Sequence, residues 1–464
     1  MACAHFMPLM NPDEHDLWFL PLGGCGEIGM NLNLYGHNGR WLMVDCGVTF
    51  ADPNDTGPHV QMADPQFIAD RREDLLALMV THAHEDHVGA VAHLWRRLRC
   101  PVYCTPFTAA ILSRKLAEAG LLGTVQLNIV RPGARTVLGS FEVEWIDQTH
   151  STPESQALLI RTPVGSVFHT GDWKLDAAPV VGRDFDQGRL KELAREEITA
   201  MVCDSTNALE TGRTESEGAL FDNICEWVEA APGRVVVGCF GSNIARLTTL
   251  GRVAQATGRY MGLLGRSLNN YHSAAVQAGL WDPELRVVDA SHLGFLPPSE
   301  VLAVATGSQG EPRTALRRLA ADTHPDLNLS AGDRVLMSAR VIPGNEASVA
   351  TLIARLESLG VSVICDEHTN KPIHASGHPS QDELGDMYTW VKPKIAIPVH
   401  GEAAHLQANA ELARSVGVPA HLLGRNGDLF MLAPQRGIRR GAVSVGRLGL
   451  DHRKLVSIVP GGDQ

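Results

Sequence analysis

The segment Thr81–Ala90, THAHEDHVGA, places three histidines and two carboxylates within the six residues 82–87. It directly follows an apolar run, Leu75 to Thr81, which predicts a buried strand. Neutral imidazole nitrogens and ionised carboxylates are the usual protein ligands of zinc and similar ions. A solvated, histidine-rich loop is the alternative interpretation, and the preceding apolar strand disfavours it. The pattern His82-x-His84-x-Asp86-His87 therefore predicts a metal site at the end of a strand.

Further candidate ligands stand at the ends of other predicted strands. Asp45 follows Trp41 to Val44, His150 follows Phe141 to Ile146, Asp172 follows Ser166 to Thr170, and His400 ends Ile395 to His400. Each of these residues alone is more often a helix cap or a polar loop residue. The candidate ligands at 82–87, however, are too few to complete two metal sites by themselves. We therefore predict one ion on His82, His84 and His150, a second on Asp86, His87 and His400, and Asp172 bridging both. Asp45 is predicted to orient a ligand from behind. Two ions about 3.5–4 Å apart would ionise a shared water near neutral pH.

Upstream lies Gly24-x-Gly26-x-x-Gly29, the spacing of dinucleotide-binding loops. Such a loop binds a pyrophosphate only when a helix follows it, because the helix N-terminus supplies the amides. Here Met30, Leu32 and Leu34 alternate with polar residues, which predicts a strand, and residues 38–39 are Asn-Gly, a hairpin turn signal. The glycines are therefore predicted to form a turn before a β-meander rather than a cofactor cradle.

The chain is long enough, at 464 residues with 44% hydrophobic residues, for two domains. From about residue 208, strands alternate with helices, which predicts a parallel α/β sheet. No apolar run of about 18 residues occurs, and the opening residues lack a leader pattern, so neither a membrane span nor a signal peptide is expected. Nine scattered cysteines favour reduced thiols and a cytoplasmic location. Because the net charge is −12, the surface as a whole is not basic, and any binding of nucleic acid must depend on a local patch.

Several Gly/Ser loops follow predicted strands and would converge on one sheet edge. They are Gly241-Ser242-Asn243, Gly265-Arg266-Ser267, Gly307-Ser308-Gln309-Gly310 and Ser376-Gly377. Backbone amides and hydroxyls in such loops suit phosphate oxygens, and Arg266 offers a bidentate contact. Each loop alone is more often an ordinary turn, but together they predict a phosphate pocket.

The ligand series resembles that of the metallo-β-lactamase superfamily. Within it, GGCGEIGMN (23–31), THSTPES (149–155), HTGDWKLD (169–176), CDSTNA (203–208), TGSQGEP (306–312), IPGNE (342–346) and HASGH (374–378) resemble segments of the ribonuclease J family. The resemblance implies an α/β fold, a metallo-β-lactamase αββα sandwich with an inserted β-CASP α/β domain. We place the first part of the sandwich at 1–207, the β-CASP domain at 208–372 and the return segment at 373–464. About 230 residues between Asp172 and His400 leave room for that insertion.

The same resemblance implies a ribonuclease with two zinc ions, Mn²⁺ or Mg²⁺ being alternatives. It would remove nucleotides 5′-to-3′ from single-stranded RNA with a 5′-monophosphate, with endonuclease cleavage as a second activity. Asp204 and His378 would be catalytic and help to protonate the leaving oxygen, as suits a histidine beside a carboxylate. The phosphate pocket would comprise Ser242, Asn243, His374, Ser376 and Gly377, to which we add Arg266 and Ser308.

Four alternatives stay open at this point. They are a DNA-processing β-CASP nuclease, a hydrolase of small molecules on the same metal core, a non-catalytic RNA-binding scaffold, and a diiron oxidoreductase. The intact ligand set disfavours the scaffold, and His84 disfavours the diiron enzyme, which more naturally has Glu there. Ribonuclease J usually continues into a further C-terminal domain, which we expect to be absent because the chain stops at Gln464. Its assembly is therefore left open, with a homodimer as one option.

Overall fold

The computed structural model describes residues 10–51, 57–342, 344–366, 369–452 and 454–458. The first nine residues, on which the prediction about a signal peptide depends, and Pro343 of the IPGNE segment lie outside these ranges. Among the described helices, none combines the length and the apolarity that crossing a bilayer requires.

Twenty-five strands and twelve α-helices make up the described part of the chain. The strands before the inserted segment are β1 (Leu17–Gly23), β2 (Leu32–His37), β3 (Arg40–Val44), β4 (Val48–Phe50), β5 (Val60–Ala63), β6 (Leu75–Met79), β7 (Val102–Cys104), β8 (Leu127–Ile129), β9 (Arg135–Leu138), β10 (Phe141–Asp147), β11 (Gln156–Thr162), β12 (Gly165–His169) and β13 (Ala200–Asp204). The later strands are β14 (Val235–Gly238), β15 (Tyr260–Leu264), β16 (Val287–Val288), β17 (Val301–Ala305), β18 (Arg334–Met337), β19 (Ser362–Cys365), β20 (Ile395–Val399), β21 (Ala420–His421), β22 (Leu429–Ala433), β23 (Gly437–Arg439), β24 (Arg447–Asp451) and β25 (Lys454–Ile458). The helices are α1 (Gln66–Ala69), α2 (Glu85–Val88), α3 (Val91–Leu98), α4 (Pro106–Glu118), α5 (Gln187–Glu192), α6 (Leu220–Glu229), α7 (Ile244–Ala256), α8 (Arg266–Gln277), α9 (Ala315–Ala320), α10 (Glu346–Ser358), α11 (Gln381–Val391) and α12 (Ala403–Ser415).

Two mixed sheets face each other and form the centre of the molecule. One has eight strands in the order β23-β22-β1-β2-β3-β6-β7-β8, and the other has seven in the order β21-β20-β13-β12-β11-β10-β9. Side-chain alternation in β1 shows the layering: Leu17 and Phe19 point into the core between the sheets, whereas Trp18 and Leu20 pack on the other face of the first sheet. Helices α3 and α4 contribute to that outer core, and α5, α11 and α12 cover the outer face of the second sheet. This is an αββα sandwich, as predicted.

The glycine-rich turn lies between β1 and β2, and β1, β2 and β3 form an antiparallel meander. Asn38 and Gly39 both have positive φ, 49° and 71°, as a tight hairpin turn between twisted strands requires. The strand β1 itself was not predicted. Pro21, which lacks an amide donor, is accommodated there at a register shift between Pro21 and Gly23.

The segment between β13 and β20 contains a second domain with its own sheet. Six parallel strands lie in the order β16-β15-β17-β14-β18-β19. The chain leaves the sandwich after β13 and returns in β20, which pairs parallel with β13. The second domain is thus an insertion between two neighbouring strands, and the predicted parallel α/β style of this segment is confirmed. The predicted strand Leu285 to Asp289 shortens to two residues.

Candidate metal centre

The predicted ligands come together at one edge of the sandwich, where separate strands end. His82, His84, Asp86 and His87 follow β6, His150 follows β10, Asp172 follows β12 and His400 follows β20. Three clusters result whose potential ligand atoms lie within 4.8 Å of one another. They are His82, His84, His150 and Asp172; Asp86, His87, Asp172 and His400; and Asp172, Asp204, His378 and His400. The first two match the sets predicted from the sequence, with Asp172 in both, and their role as ligands is taken up below as a proposal.

The first cluster has three imidazoles turned toward one point. Nδ1 of His84 lies 3.2 Å from Nε2 of His82 and 3.0 Å from Nε2 of His150. The opposite nitrogen of His82, Nδ1, lies 3.0 Å from the Thr81 hydroxyl, and Nδ1 of His150 lies 2.5 Å from the carbonyl oxygen of Gly377. Because a carbonyl only accepts, His150 carries its proton on Nδ1 and presents a bare Nε2 lone pair to the cluster. This is the tautomer that a metal ligand needs.

The second cluster is built around two carboxylates. Nε2 of His87 lies 3.1 Å from Oδ2 of Asp172, and Nε2 of His400 lies 3.4 Å from Oδ2 of both Asp86 and Asp172. Each histidine has a partner for its other nitrogen: Nδ1 of His87 lies 2.7 Å from Oδ2 of Asp45, and Nδ1 of His400 lies 3.0 Å from the side-chain amide of Asn31. Nε2 of both histidines faces the carboxylates, and on His87, whose Nδ1 proton is accepted by Asp45, this is the orientation suited to a cation.

The charge distribution fits divalent cations. Burial lowers the pKa of His82 and His150 well below the ordinary value and that of His84 to about 4, so these imidazoles are neutral. At the second cluster burial also acts to lower the pKa of His87 and His400, but Asp172 and Asp86 outweigh it and raise both. The carboxylates of buried Asp172 and half-buried Asp86 thus attract positive charge into this half of the site, and the neighbouring half offers neutral nitrogen donors.

Asp45 lies behind the candidate ligands. It is fully buried with φ of 63°, and its carboxylate accepts hydrogen bonds from the amide and the hydroxyl of Thr81 at 2.8 and 2.9 Å. Its second contact, with Nδ1 of His87, joins the strand end at residue 45 to the loop at 81–87. Through Thr81 and His87, one carboxylate orients residues of both clusters.

Asp204 and His378 form a close pair beside the clusters. Nδ1 of His378 lies 2.7 Å from Oδ2 of Asp204 and 3.9 Å from Oδ2 of Asp172. Burial acts to lower the pKa of His378, but the Asp204 carboxylate and its hydrogen bond raise it to about 9. The second oxygen of Asp204, Oδ1, accepts hydrogen bonds from the amide and hydroxyl of Thr206, which fixes the carboxylate. The imidazole is therefore held in one orientation by its Nδ1.

The predicted phosphate loops lie at the carboxyl ends of β14, β15 and β17, neighbouring parallel strands. They are close to one another: a Cβ added at Gly241 would lie 3.2 Å from the Ser267 hydroxyl, and one at Gly265 would lie 2.5 Å from the Thr306 side chain. The Asn243 side chain is already engaged, since it accepts from the Arg246 amide and donates to Glu217. Any phosphate contact at Asn243 is therefore left to its backbone.

The other predicted pocket residues divide into two groups. Ser376 and Gly377 adjoin the metal clusters: Gly377 contacts His150, and the Ser376 hydroxyl accepts from Asn207 at 2.9 Å. His374 is half-buried beside the Arg246 side chain, and burial followed by that guanidinium lowers its pKa to about 3. In the inserted domain, Arg266 is exposed at the first position of α8, Ser242 is half-buried in the loop after β14, and Ser308 is buried. Their assignment to a phosphate pocket stays a prediction.

Sequence reasoning assigned no role to Asn31, which contacts both halves of the second cluster. Its side-chain nitrogen lies 3.1 Å from Nε2 of His87 and 3.0 Å from Nδ1 of His400. The glycine turn makes this possible: Gly24 has φ of 85°, a Cβ there would lie 2.1 Å from Asn31 Oδ1, and the Gly24 carbonyl accepts the His400 amide at 2.6 Å. The sequence feature that could have identified Asn31 is its position at the end of the glycine-rich turn. The turn thus adjoins the candidate metal centre.

Family models match three segments of the chain. Residues 30–191 match the metallo-beta-lactamase superfamily, residues 232–356 the beta-CASP domain of ribonuclease J, and residues 368–423 a Zn-dependent metallo-hydrolase RNA specificity domain. A crystal structure of a protein of unknown function from Enterococcus faecalis V583 has the same fold, with a TM-score of 0.62 at 15% identity over 90% of this chain and 100% of that one. The fold and the clustered ligands define a metal-dependent hydrolase of the metallo-β-lactamase superfamily with a β-CASP insertion.

Curated relatives narrow this class. The chain is 43% identical over 425 residues to Ribonuclease J of Sinorhizobium meliloti (strain Sm2011 / Rm2011 / 2011), an alignment that spans 91% of this chain and 75% of the relative. It is 37% identical over 438 residues to Ribonuclease J of Mycobacterium tuberculosis (strain CDC 1551 / Oshkosh), with 93% and 77% covered. The chain belongs to the ribonuclease J family and is, by class, a metal-dependent hydrolytic nuclease.

Proposed function

We propose that this chain is a zinc-dependent ribonuclease that removes nucleotides from the 5′-monophosphate end of single-stranded RNA and also cleaves internally. The observation that carries the proposal is the pair of four-residue clusters that share Asp172, with Asp204 and His378 directly beside them. The names of the relatives support RNA as the substrate class. Nitrogen-rich donor sets favour zinc over manganese and magnesium, which prefer oxygen ligands.

The residues of the clusters have separate tasks in this proposal. His82, His84 and His150 would hold one ion, Asp86, His87 and His400 the other, and Asp172 would contact both. When bound, the ion pair supplies ionisation of water near neutral pH and charge neutralisation at the phosphate. The protein contributes the orientation, because the Asp45 carboxylate and the Gly377 carbonyl each accept from the ring nitrogen of a ligand histidine that would face away from the ion.

His378 is the proposed general acid. Its Nδ1 is occupied by Asp204, so the proton available to a substrate is on Nε2. A phosphodiester that contacts the clusters would bring its leaving 3′-oxygen within reach of this ring. Donation of the Nε2 proton to that oxygen releases the nucleotide, and Asp204 stabilises the imidazolium before the transfer. Small esters with good leaving groups would not need this pair, which favours a nucleic acid as substrate.

The 5′-monophosphate preference is proposed from the loops around the site. Ser376 and Gly377 adjoin the clusters, and the loops at 241–243, 265–267 and 307–308 lie at the ends of neighbouring strands of the inserted domain. A terminal phosphate bound among their amides and hydroxyls would fix the distance from the chain end to the scissile bond. Cleavage would then release mononucleotides in sequence.

The experiment compares one RNA sequence carrying a 5′-monophosphate, a 5′-triphosphate or a 5′-hydroxyl, together with its DNA counterpart, in zinc and in manganese. Labels at each end separate mononucleotide release from internal cuts. We expect mononucleotides from the 5′-monophosphate RNA and internal fragments from the other RNAs. Cleavage of DNA alone would replace the proposal with a DNA nuclease, and hydrolysis of small esters alone would replace it with a small-molecule hydrolase.

We retain three further proposals. Domain limits at residues 208 and 372 agree with the strand assignments, since the inserted sheet lies within Val235–Cys365. A cytoplasmic location is proposed from the nine cysteines, whose odd number and irregular spacing in the sequence are not those of a disulfide framework. A homodimer stays a proposal that sedimentation of the purified chain tests.

A further inference from the structure

A tyrosine of the inserted domain contacts the metal-binding loop of the sandwich. Tyr271 lies in α8 and is 6% exposed, and its hydroxyl donates a hydrogen bond to the backbone carbonyl of Ala83 at 3.0 Å. Ala83 is fully buried and stands between His82 and His84 in the chain. The second domain therefore bonds directly to the short peptide from which two imidazoles of the first cluster project.

This contact belongs to an organised interface between α8 and α4. The rings of Phe107 on α4 and Tyr271 lie 6.3 Å apart, in a shared buried core that also includes Ala83. Farther along α4, Arg114 donates to the Asn270 carbonyl at 2.9 Å and to the Ser273 hydroxyl at 2.5 Å. The Phe107 ring and the hydrogen bonds from Arg114 to α8 thus hold Tyr271 in place, and its hydroxyl is directed at the Ala83 carbonyl.

The position of that carbonyl affects both histidines. His82 has the Thr81 hydroxyl against its Nδ1, whereas the outer nitrogen of His84, Nε2, has only a long contact of 3.4 Å with the Ser151 hydroxyl. The direction of the His84 ring therefore depends mainly on the backbone at residues 83 and 84. A hydrogen bond that fixes this peptide also fixes where Nδ1 of His84 points.

We propose that Tyr271 is a positioning residue of the metal centre, through which the inserted domain completes the first ligand cluster. The inference rests on the proposed function in so far as His82, His84 and His150 hold a metal ion. Groups that orient a ligand from behind typically contribute about 10–100-fold to metal affinity or activity. The domain insertion then adds to ion binding, besides any contact it makes with substrate.

The test is the variant Tyr271→Phe, which keeps the ring and removes the hydroxyl, with zinc affinity measured by competition against a coloured chelator. We expect zinc release from the first cluster at about 10–100-fold lower chelator concentration than in the wild type. Tyr260→Phe, the same change at a tyrosine of β15 that is 48% exposed, is the matched control and should leave zinc affinity unchanged. Equal zinc affinity in Tyr271→Phe and wild type, with only a lowered melting temperature, would show a merely structural role and overturn the proposal.

A measurement on the wild-type protein covers the case in which Tyr271→Phe does not fold. Zinc addition should slow hydrogen–deuterium exchange in the peptide covering α8 as well as in the loop at 81–88. Protection confined to the loop would overturn the role of Tyr271 while leaving the metal site intact. A wild-type chain that binds no zinc at all would instead overturn the proposed function, so the two failures are distinguishable.

Discussion

At the scale of single residues, His84 is the most exacting test of the ligand assignment. Its Nδ1 is the atom closest to both neighbouring imidazoles of the first cluster, at 3.2 and 3.0 Å. His84→Ala should abolish RNA cleavage and lower the metal content measured by mass spectrometry, because two histidines and Asp172 then remain for that ion. His93→Ala, a half-buried histidine of α3 outside the clusters, is the control and should retain both metal and activity. Wild-type cleavage by His84→Ala would refute the ligand assignment.

His378 is predicted to serve chemistry rather than metal binding. His378→Ala should keep the metal content of the wild type and lower kcat by roughly 10²–10⁴, the usual effect of losing a general acid. Asp204→Asn should lower kcat similarly, and the double variant should be little worse, since the two residues act as one unit. The matched comparison is His400→Ala, which should lose metal. If His378→Ala loses metal instead, the third cluster, with Asp172 and His400, holds an ion and the two roles are exchanged.

At the scale of secondary-structure elements, a charged cluster fastens α5 to the outer face of the second sheet. Glu144 of β10 is 5% exposed and accepts hydrogen bonds from Arg189 of α5 and Arg161 of β11, both at 2.6 Å. The same two arginines donate to Glu196, just beyond the helix. Burial acts to raise the pKa of Glu144, but the two guanidinium groups outweigh it and lower that pKa to about 2.

This depressed pKa predicts how stability depends on pH. A carboxylate whose pKa is lower in the folded state stabilises the fold above its unfolded pKa, about 4.3, and loses that contribution as pH falls toward 2. The melting temperature of the wild type should therefore drop toward that of Glu144→Gln between pH 4.5 and 2, as measured by circular dichroism. Glu142→Gln, at the neighbouring half-exposed carboxylate, is the control. The difference between its melting temperature and that of the wild type should change little over the same pH range. A constant gap between wild type and Glu144→Gln across that range would contradict the prediction.

Elements also show what a sequence can and cannot reveal here. The clustering of residues 82–87, 150, 172 and 400 was predictable because each segment follows an apolar strand, a pattern visible within ten residues. The strand β1 was not predicted, because LWFLPLG is apolar throughout and contains Pro21. Neither an alternation of polar and apolar residues nor its composition indicates a strand there. The Tyr271–Ala83 contact and the arginines on Glu144 were unpredictable for a different reason: their partners lie 188, 17 and 45 residues away and meet only after tertiary packing.

At the scale of the whole molecule, the candidate metal centre joins parts of the chain that are far apart in sequence. Its candidate ligands come from the ends of β6, β10, β12 and β20, and the inserted domain lies between β13 and β20. Ions bound to the folded chain but not to the unfolded one stabilise it by mass action, about 2.7 kcal/mol at a free concentration 100 times Kd. Zinc should therefore act on the stability of the sandwich as a whole.

The last prediction follows from that linkage. Adding zinc to the chelator-treated wild type should raise the melting temperature of the sandwich by several degrees, in proportion to the logarithm of free zinc, as measured by calorimetry. This rise in melting temperature should be smaller in His84→Ala, which removes a ligand. In His378→Ala, which removes none, it should be nearly the same as in the wild type. Magnesium at the same concentration is the ionic control and should have a weaker effect, since it prefers oxygen donors over the imidazoles that dominate the first cluster. Equal shifts in wild type and His84→Ala would mean that zinc binds elsewhere.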